Sequence, residues 1–133
     1  RDLPGFKPPV VRSGCRHNYF MWSCRYDADQ VGLSRDEFLK LMKAEGVPLA
    51  GGYVAPIYRL PLFQKRIALG FGSFPFSESD LHYSEVVCPV VERMQEQELI
   101  QFQPVSWDVS DEQLNMMVDA FHKVSRFASS KAA

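Results

Sequence analysis

His17-Asn18-Tyr19-Phe20-Met21-Trp22-Ser23-Cys24-Arg25-Tyr26 and Ser34-Arg35-Asp36-Glu37-Phe38-Leu39-Lys40-Leu41-Met42-Lys43-Ala44-Glu45-Gly46-Val47-Pro48 are the two stretches that decide the fold. The first alternates: Phe20, Trp22, Cys24 and Tyr26 fall on one side, Tyr19, Met21, Ser23 and Arg25 on the other. Period two with aromatic residues predicts a strand over 17–26, and apolar content on both sides predicts a central one. The second opens on a capping box, in which Ser34 caps the helix and Glu37 reaches back. Phe38, Leu41 and Met42 then form an apolar stripe. Gly46 supplies a left-handed stop and Pro48 follows it, so the helix has about three turns.

Working outward, Pro4, Gly5, Pro8, Pro9 and Gly14 exclude a continuous helix over residues 1–16. That stretch reads as an extended connector with a short edge strand at Val10-Val11. A strand is expected over Leu49 to Val54. Residues 55–87 are the least regular part, with Phe71, Phe74 and Phe76 set among Gly70, Gly72 and Pro75. They read either as a long surface loop tucked onto the domain or as a segment ordered against a partner, because exposed phenylalanines need a cover. Pro89 suits the first turn of a helix covering Val90, Val91, Met94 and Glu98. Leu99 to Gln103 reads as a strand. A second capping box, Ser110 to Gln113, opens an amphipathic helix whose stripe is Leu114, Met117, Val118, Phe121 and Val124. Ser129 to Ala133 reads as a flexible tail. Capped helices on one face of a small, mainly antiparallel sheet satisfy this pattern, so the predicted class is α+β. The chain opens on Arg1 rather than Met. We read it as the carboxy-terminal piece of a longer protein, with one domain over 17–128.

The 133 residues suffice for one domain with a hydrophobic core. The formal charge is −1, and no basic cluster exceeds Lys65-Arg66, so the electrostatic footprint of a nucleic-acid binder is missing. No apolar run approaches the length that spans a bilayer. Three cysteines, Cys15, Cys24 and Cys88, match no zinc spacing and fit reduced thiols in a cytoplasmic protein. For Cys88, a small buried apolar role outweighs a thiol activated by the following helix.

His17, His82 and His122 are dispersed and make no metal motif. No nucleophile elbow, dinucleotide fingerprint or phosphate-cradling loop occurs. The carboxylate pairs Asp36 with Glu37, Asp111 with Glu112, and Glu96 with Glu98 read as caps or solvated helix faces. His122 reads as a dipole partner near the end of the last helix. Tyr53, Tyr58 and Arg59 are the candidate binding residues: two phenols and a guanidinium in a proline-held loop suit a phosphate or a sugar hydroxyl. From spacing alone, packed tyrosine rings and an exposed Arg59 are the simpler account.

The string Gly46-Val47-Pro48, with Tyr53-Val54-Ala55-Pro56-Ile57-Tyr58-Arg59-Leu60-Pro61-Leu62-Phe63, resembles the small domain of the DegT/StrS-type sugar aminotransferases. Cys88-Pro89-Val90-Val91-Glu92-Arg93 and Glu98-Leu99-Ile100 look like that family's C-P-x-x-E-R helix and following strand. Ser110 to Val124 is similar to its final helix, and His17-Asn18-Tyr19 to the strand that opens the domain. The resemblance covers nearly the whole chain in the family's order. It implies a fold-type-I enzyme dependent on pyridoxal phosphate, usually a homodimer. Such an enzyme moves an amino group from glutamate or glutamine onto a nucleotide-linked keto sugar.

In that family the Schiff-base lysine, its acidic partner and most phosphate ligands lie in a large domain upstream of the matched residues. None of Lys7, Lys40, Lys43, Lys65, Lys123 or Lys131 occupies a matching motif, so no catalytic residue is carried over. The chain by itself is then expected to hold no pyridoxal phosphate and to form no aldimine. Many relatives have histidine where this chain has Tyr58, and a phenol donates a hydrogen bond without carrying positive charge. Two rivals stand beside this reading. One is a sugar dehydratase of the same family, with histidine in place of the lysine. The other is a binding module that kept the small-domain fold without catalysis.

Overall fold

In a computed structural model the chain is described over residues 3–102 and 108–132. The elements run β1 (Phe6–Lys7), β2 (Trp22–Tyr26), α1 (Ala28–Val31), α2 (Arg35–Ala44), β3 (Ala50–Gly51), α3 (Pro61–Gln64), α4 (Pro89–Arg93), β4 (Leu99–Phe102) and α5 (Asp111–Ala132). Every strand pairing is antiparallel and the sheet order is β1-β2-β4-β3. The fold is α+β, as its sequence pattern predicts.

β2 and β4 are the inner strands, and Cys24 stands across from Ile100 in their register. Both are buried, as is Tyr26. Burial holds the Cys24 thiol up at about 11, so it stays protonated and inert near neutral pH. The Tyr26 hydroxyl donates to the Leu33 carbonyl at 2.9 Å, which satisfies the one polar atom this ring carries into the core.

α2 starts and stops where its sequence says. The Glu37 N–H donates to Ser34 Oγ at 3.3 Å, and Glu37 Oε2 accepts from the Ser34 N–H at 3.2 Å. At the other end Gly46 takes φ 82°, and the Val47 N–H closes onto the Met42 carbonyl at 2.9 Å. α2 buries Phe38 and Met42 against the sheet. α1 is a single turn that sequence periodicity did not announce, capped by Asp27, whose Oδ1 accepts from the Gln30 N–H at 3.2 Å.

Four rings from four elements meet at the centre of the core. Phe38 of α2 lies 5.2 Å from Phe6 of β1, 5.2 Å from Tyr26 of β2 and 5.6 Å from Phe121 of α5. These are the separations of tilted and edge-on aromatic pairs.

Several expectations shift. Val10 and Val11 are exposed and form no strand; Phe6 and Lys7 do, so the stretch read as a connector supplies an edge strand and a core ring. The physical reason is Gly5 at φ 83°, whose backbone accepts the Asp27 N–H at 2.8 Å and turns the chain alongside β2. β2 begins at Trp22, not at residue 17, and Phe20 is exposed. Met94–Glu98 after α4 winds as a π-helix, and Val90 and Val91 face outward.

α5 continues through Ala132, so residues 129–132 are helical rather than a tail, and His122 is mid-helix. Its buried positions are Ala120, Val124 and Ala128, with Met117 and Phe121 half-buried, while Leu114 and Val118 point outward. Alanines let the α5 axis approach α1 and α2 closely, which turns the buried stripe away from the larger residues that pattern reading favours. The expected strand residue Gln103 lies outside the described residues. Among the described residues no helix is long and apolar enough to cross a membrane.

Candidate functional site

The irregular segment is organised by polar clamps. β3 stops at Gly51 because the next backbone groups find other partners. The Gly52 N–H donates to the Leu99 carbonyl at 2.8 Å. Then the Gln95 side-chain amide takes over from a strand: its Oε1 accepts the Tyr53 N–H at 2.9 Å and its Nε2 donates to the Tyr53 carbonyl at 3.1 Å. Gly52 makes this approach possible. At φ 68°, a Cβ there would lie 2.5 Å from Gln95 Nε2 and 2.7 Å from the Gln95 backbone oxygen. Arg35 of α2 holds the other side of that segment, donating from Nη1 to the Gln95 carbonyl at 2.8 Å.

Pro56 then leads into a single 3₁₀ turn, Ile57–Arg59, followed by α3. This turn presents Tyr58 and Arg59 to α4 and the π segment. The Tyr58 hydroxyl donates to Glu92 Oε1. Arg59 Nη2 lies 3.2 Å from the same Glu92 oxygen, and its Nη1 donates to Glu96 Oε1 at 2.8 Å. Glu92 Oε1 also accepts the Cys88 N–H at 3.2 Å. Two carboxylates one turn apart on a helix repel each other, and the Arg59 guanidinium offsets that repulsion. Gln64 completes the clamp, donating to the Tyr58 carbonyl at 2.6 Å and the Tyr83 carbonyl at 3.1 Å.

Behind the turn, Phe63, Phe76 and Tyr83 form a small ring cluster with centroids 5.1 to 5.9 Å apart. Arg66 donates to the Phe76 and Ser79 carbonyls and closes the loop over it. Phe76 is thus half-buried, while Phe71 and Phe74 face outward. The segment is both tucked onto its own domain and left with an apolar outer side.

The structure brings Tyr58 and Arg59 together on Glu92 and leaves the Tyr53 ring apart, 63% exposed, with only its backbone hydrogen-bonded among the described residues. Arg59 is half-exposed, with both terminal nitrogens already on carboxylates. That arrangement positions a loop; it does not offer a free cation to a phosphate. Glu92, Gln95 and Glu96 are the residues that sequence reading missed. Glu92 stands inside the C-P-x-x-E-R string, which was the available signal, but its partner is distant in sequence.

Electrostatics reinforce the clamp. The Glu92 carboxyl is held below its ordinary value, first by the Tyr58 hydroxyl, then by the Cys88 N–H, with the Arg59 charge adding to both. The Tyr58 hydroxyl is pushed up, chiefly by its bond to Glu92. The signs set a window. Glu92's contribution is full above the unfolded carboxyl value and is lost as pH falls through the lower folded one. Tyr58's is full below the unfolded phenol value and is lost as pH rises through the higher folded one. The loop is therefore held across neutral pH and released at both extremes. Carbon-13 NMR of Glu92 should show its titration midpoint moving up toward the ordinary value in Tyr58→Phe. An unmoved midpoint would remove Tyr58 as the cause.

None of these groups suits pyridoxal phosphate. The cluster's hydrogen bonds and ion pairs involve no lysine, and its one cation is already shared by two carboxylates. A separate groove of about 600 Å³ runs between the end of α2 and α5, lined by Val47, Met116, Met117, Ala120, Lys123 and others, and it includes none of Tyr53, Tyr58 and Arg59. The three cysteines are free thiols. Among the described residues no group of His, Cys, Asp and Glu is placed to hold a metal ion.

No protein-family model matches this chain, and no curated protein matches it.

Proposed function

We propose that this chain is the carboxy-terminal small domain of a cytoplasmic, pyridoxal-phosphate-dependent sugar aminotransferase of the DegT/StrS type. The whole enzyme moves an amino group from glutamate or glutamine onto a nucleotide-linked keto sugar and works as a homodimer. One observation carries this reading. The proline loop and the C-P-x-x-E-R helix, the two strings on which the resemblance rests, are bonded side chain to side chain through Tyr58, Arg59, Glu92 and Glu96. Residues far apart in the chain act as one unit, as a shared structural element requires.

In this reading the cofactor, the lysine and the chemistry belong to the large domain. This domain contributes part of the substrate wall. Tyr58 and Arg59 are positioning residues that hold the loop on α4, and the exposed Tyr53 ring is the contact surface for the nucleotide-sugar. The outward rings of Phe71 and Phe74 are the face that meets the large domain.

The test uses the longer polypeptide that carries this chain, supplied with pyridoxal phosphate, glutamate or glutamine, and a nucleotide-linked keto sugar. Amino sugar should form, and borohydride should trap the cofactor on a lysine outside this chain. Trapping on a lysine of this chain, loss of water from the sugar without amino transfer, or no reaction with any keto sugar would each overturn the proposal. In the active protein, Tyr53→Ala should raise the dissociation constant for the nucleotide-sugar severalfold with the melting temperature unchanged. Arg59→Ala should instead loosen the loop, weakening binding of the sugar more than binding of the cofactor. Sugar affinity unchanged from the parent protein in both variants would remove this loop from the substrate wall.

A further inference from the structure

Glu98 is the centre of a second charged cluster, which shares no residue with the first. Its side chain is only 16% exposed, yet two half-exposed arginines converge on it. Arg93 Nε donates to Glu98 Oε1 at 2.7 Å, and Arg25 Nε lies 3.2 Å from Oε2.

The backbone explains the convergence. Arg93 and Glu98 are five positions apart, and the intervening turn, Met94–Glu98, is π-helical, so its i to i+5 repeat stacks one beneath the other. An ordinary α-turn would bring Gln97 there instead. Arg25 arrives from β2, opposite Leu99 in the ladder with β4. Wide turns of this kind interrupt a helix at a cost and are found disproportionately at functional sites.

Arg93 Nε is hydrogen-bonded to one oxygen of this carboxylate, while Arg25 Nε stands within ion-pair distance of the other, a buried oxygen that accepts no hydrogen bond. Among the described residues neither arginine has a partner for its terminal Nη groups. Lys7 of β1 stands directly across from Arg25 in the antiparallel ladder, and it too has no ion-pair partner among the described residues. Like charges directly opposite each other destabilise a strand pair. Two cations thus share one carboxylate, and a third stands across the ladder from one of them. The surplus charge and the free, planar donor forks both call for an anion.

We propose that Arg25 and Arg93, oriented by Glu98, form a binding site for a phosphate-type oxyanion, either inorganic or at the phosphoryl end of a larger ligand. Glu98 acts as the support: it holds the Arg93 guanidinium by a hydrogen bond to Nε and the Arg25 guanidinium by charge, leaving the Nη groups of both for a ligand. Because the two arginines stand within 3.2 Å of the two oxygens of one carboxylate, they are close enough to share a single anion. Lys7 adds long-range attraction. This site does not depend on the aminotransferase reading.

The test is calorimetric titration of the protein with sodium pyrophosphate and with sodium phosphate at fixed ionic strength. Saturable one-to-one binding is expected, tighter for pyrophosphate than for phosphate, and weaker as sodium chloride rises. Arg25→Gln and Arg93→Gln should each raise the pyrophosphate dissociation constant about tenfold, the loss typical of a charge-assisted hydrogen bond. Arg93→Lys, which keeps the charge and loses the fork, should weaken binding by less. Lys43→Gln, on α2, should leave it unchanged. Thermal melting of each variant shows whether it is folded, and the lysine variant serves if a glutamine variant is not. Absence of saturable binding, or affinity unaffected by Arg25→Gln and Arg93→Gln, overturns the proposal.

Discussion

Replacing Phe38 by alanine is expected to remove about 3–5 kcal/mol of stability, the usual loss when a fully buried aromatic ring leaves a cavity. Phe38 has no exposed surface, and its ring touches Phe6, Tyr26 and Phe121. These come from β1, β2 and α5, so no single neighbour can collapse into the space without pulling an element with it. Domains of this size have about 5–15 kcal/mol in all, so the variant should lose a large share of its stability. Urea denaturation followed by tyrosine and tryptophan fluorescence would measure it. Phe38→Leu keeps most of the volume and should cost far less. A loss below about 1 kcal/mol in Phe38→Ala would mean that the four-ring centre is not where the domain's stability lies.

Gly52→Ala is expected to have the next largest effect, and it acts on the site as well as on the fold. The position sits at φ 68°, where an L-residue is strained by about 1–3 kcal/mol. The added methyl would also meet Gln95 Nε2 at 2.5 Å and the Gln95 backbone oxygen at 2.7 Å. The side-chain amide could swing away, but the backbone oxygen lies in the π segment and cannot. Relief requires the loop to lift from α4, which breaks the Gln95 bonds to Tyr53 and strains the contacts of Tyr58 and Arg59. Melting temperature should fall, and the lowered titration midpoint of Glu92 should return toward the ordinary carboxyl value. If stability falls while that midpoint stays low, Gly52 matters for β3 alone and the loop is held independently of it.

Much of the scaffold was legible one residue at a time. The capping box at Ser34 and the glycine stop at Gly46 bound α2 because both are local: each satisfies backbone groups within a few residues. The same holds for Ser110, whose Oγ accepts from the Gln113 N–H at 3.2 Å while Gln113 Oε1 accepts from the Ser110 N–H. The alternation around Trp22 to Tyr26 marked β2, though not its start. Tyr19 at φ 52° breaks the extended run just before it, and its N–H turns back to His17 Nδ1 at 2.8 Å.

By itself, then, the sequence determined both ends of α2, the start of α5, the existence of the two inner strands, the α+β class and the lack of a basic nucleic-acid footprint. All of these follow from interactions between near neighbours or from composition. Tertiary structure alone decided the rest. Phe6 rather than Val10 enters the core because a glycine turn lays β1 beside β2, and α5 buries alanines because it packs closely on α1 and α2. Glu96 and Glu98 looked like solvated helix-face acids, and Glu92 was only a letter in a motif, until the fold set Tyr58 and Arg59 on Glu92 and Glu96 and brought Arg25 and Arg93 to Glu98. A charged side chain carries no mark in the sequence of which distant partner will neutralise it. That partner is chosen by the fold, because only the fold sets the distance over which the charges act.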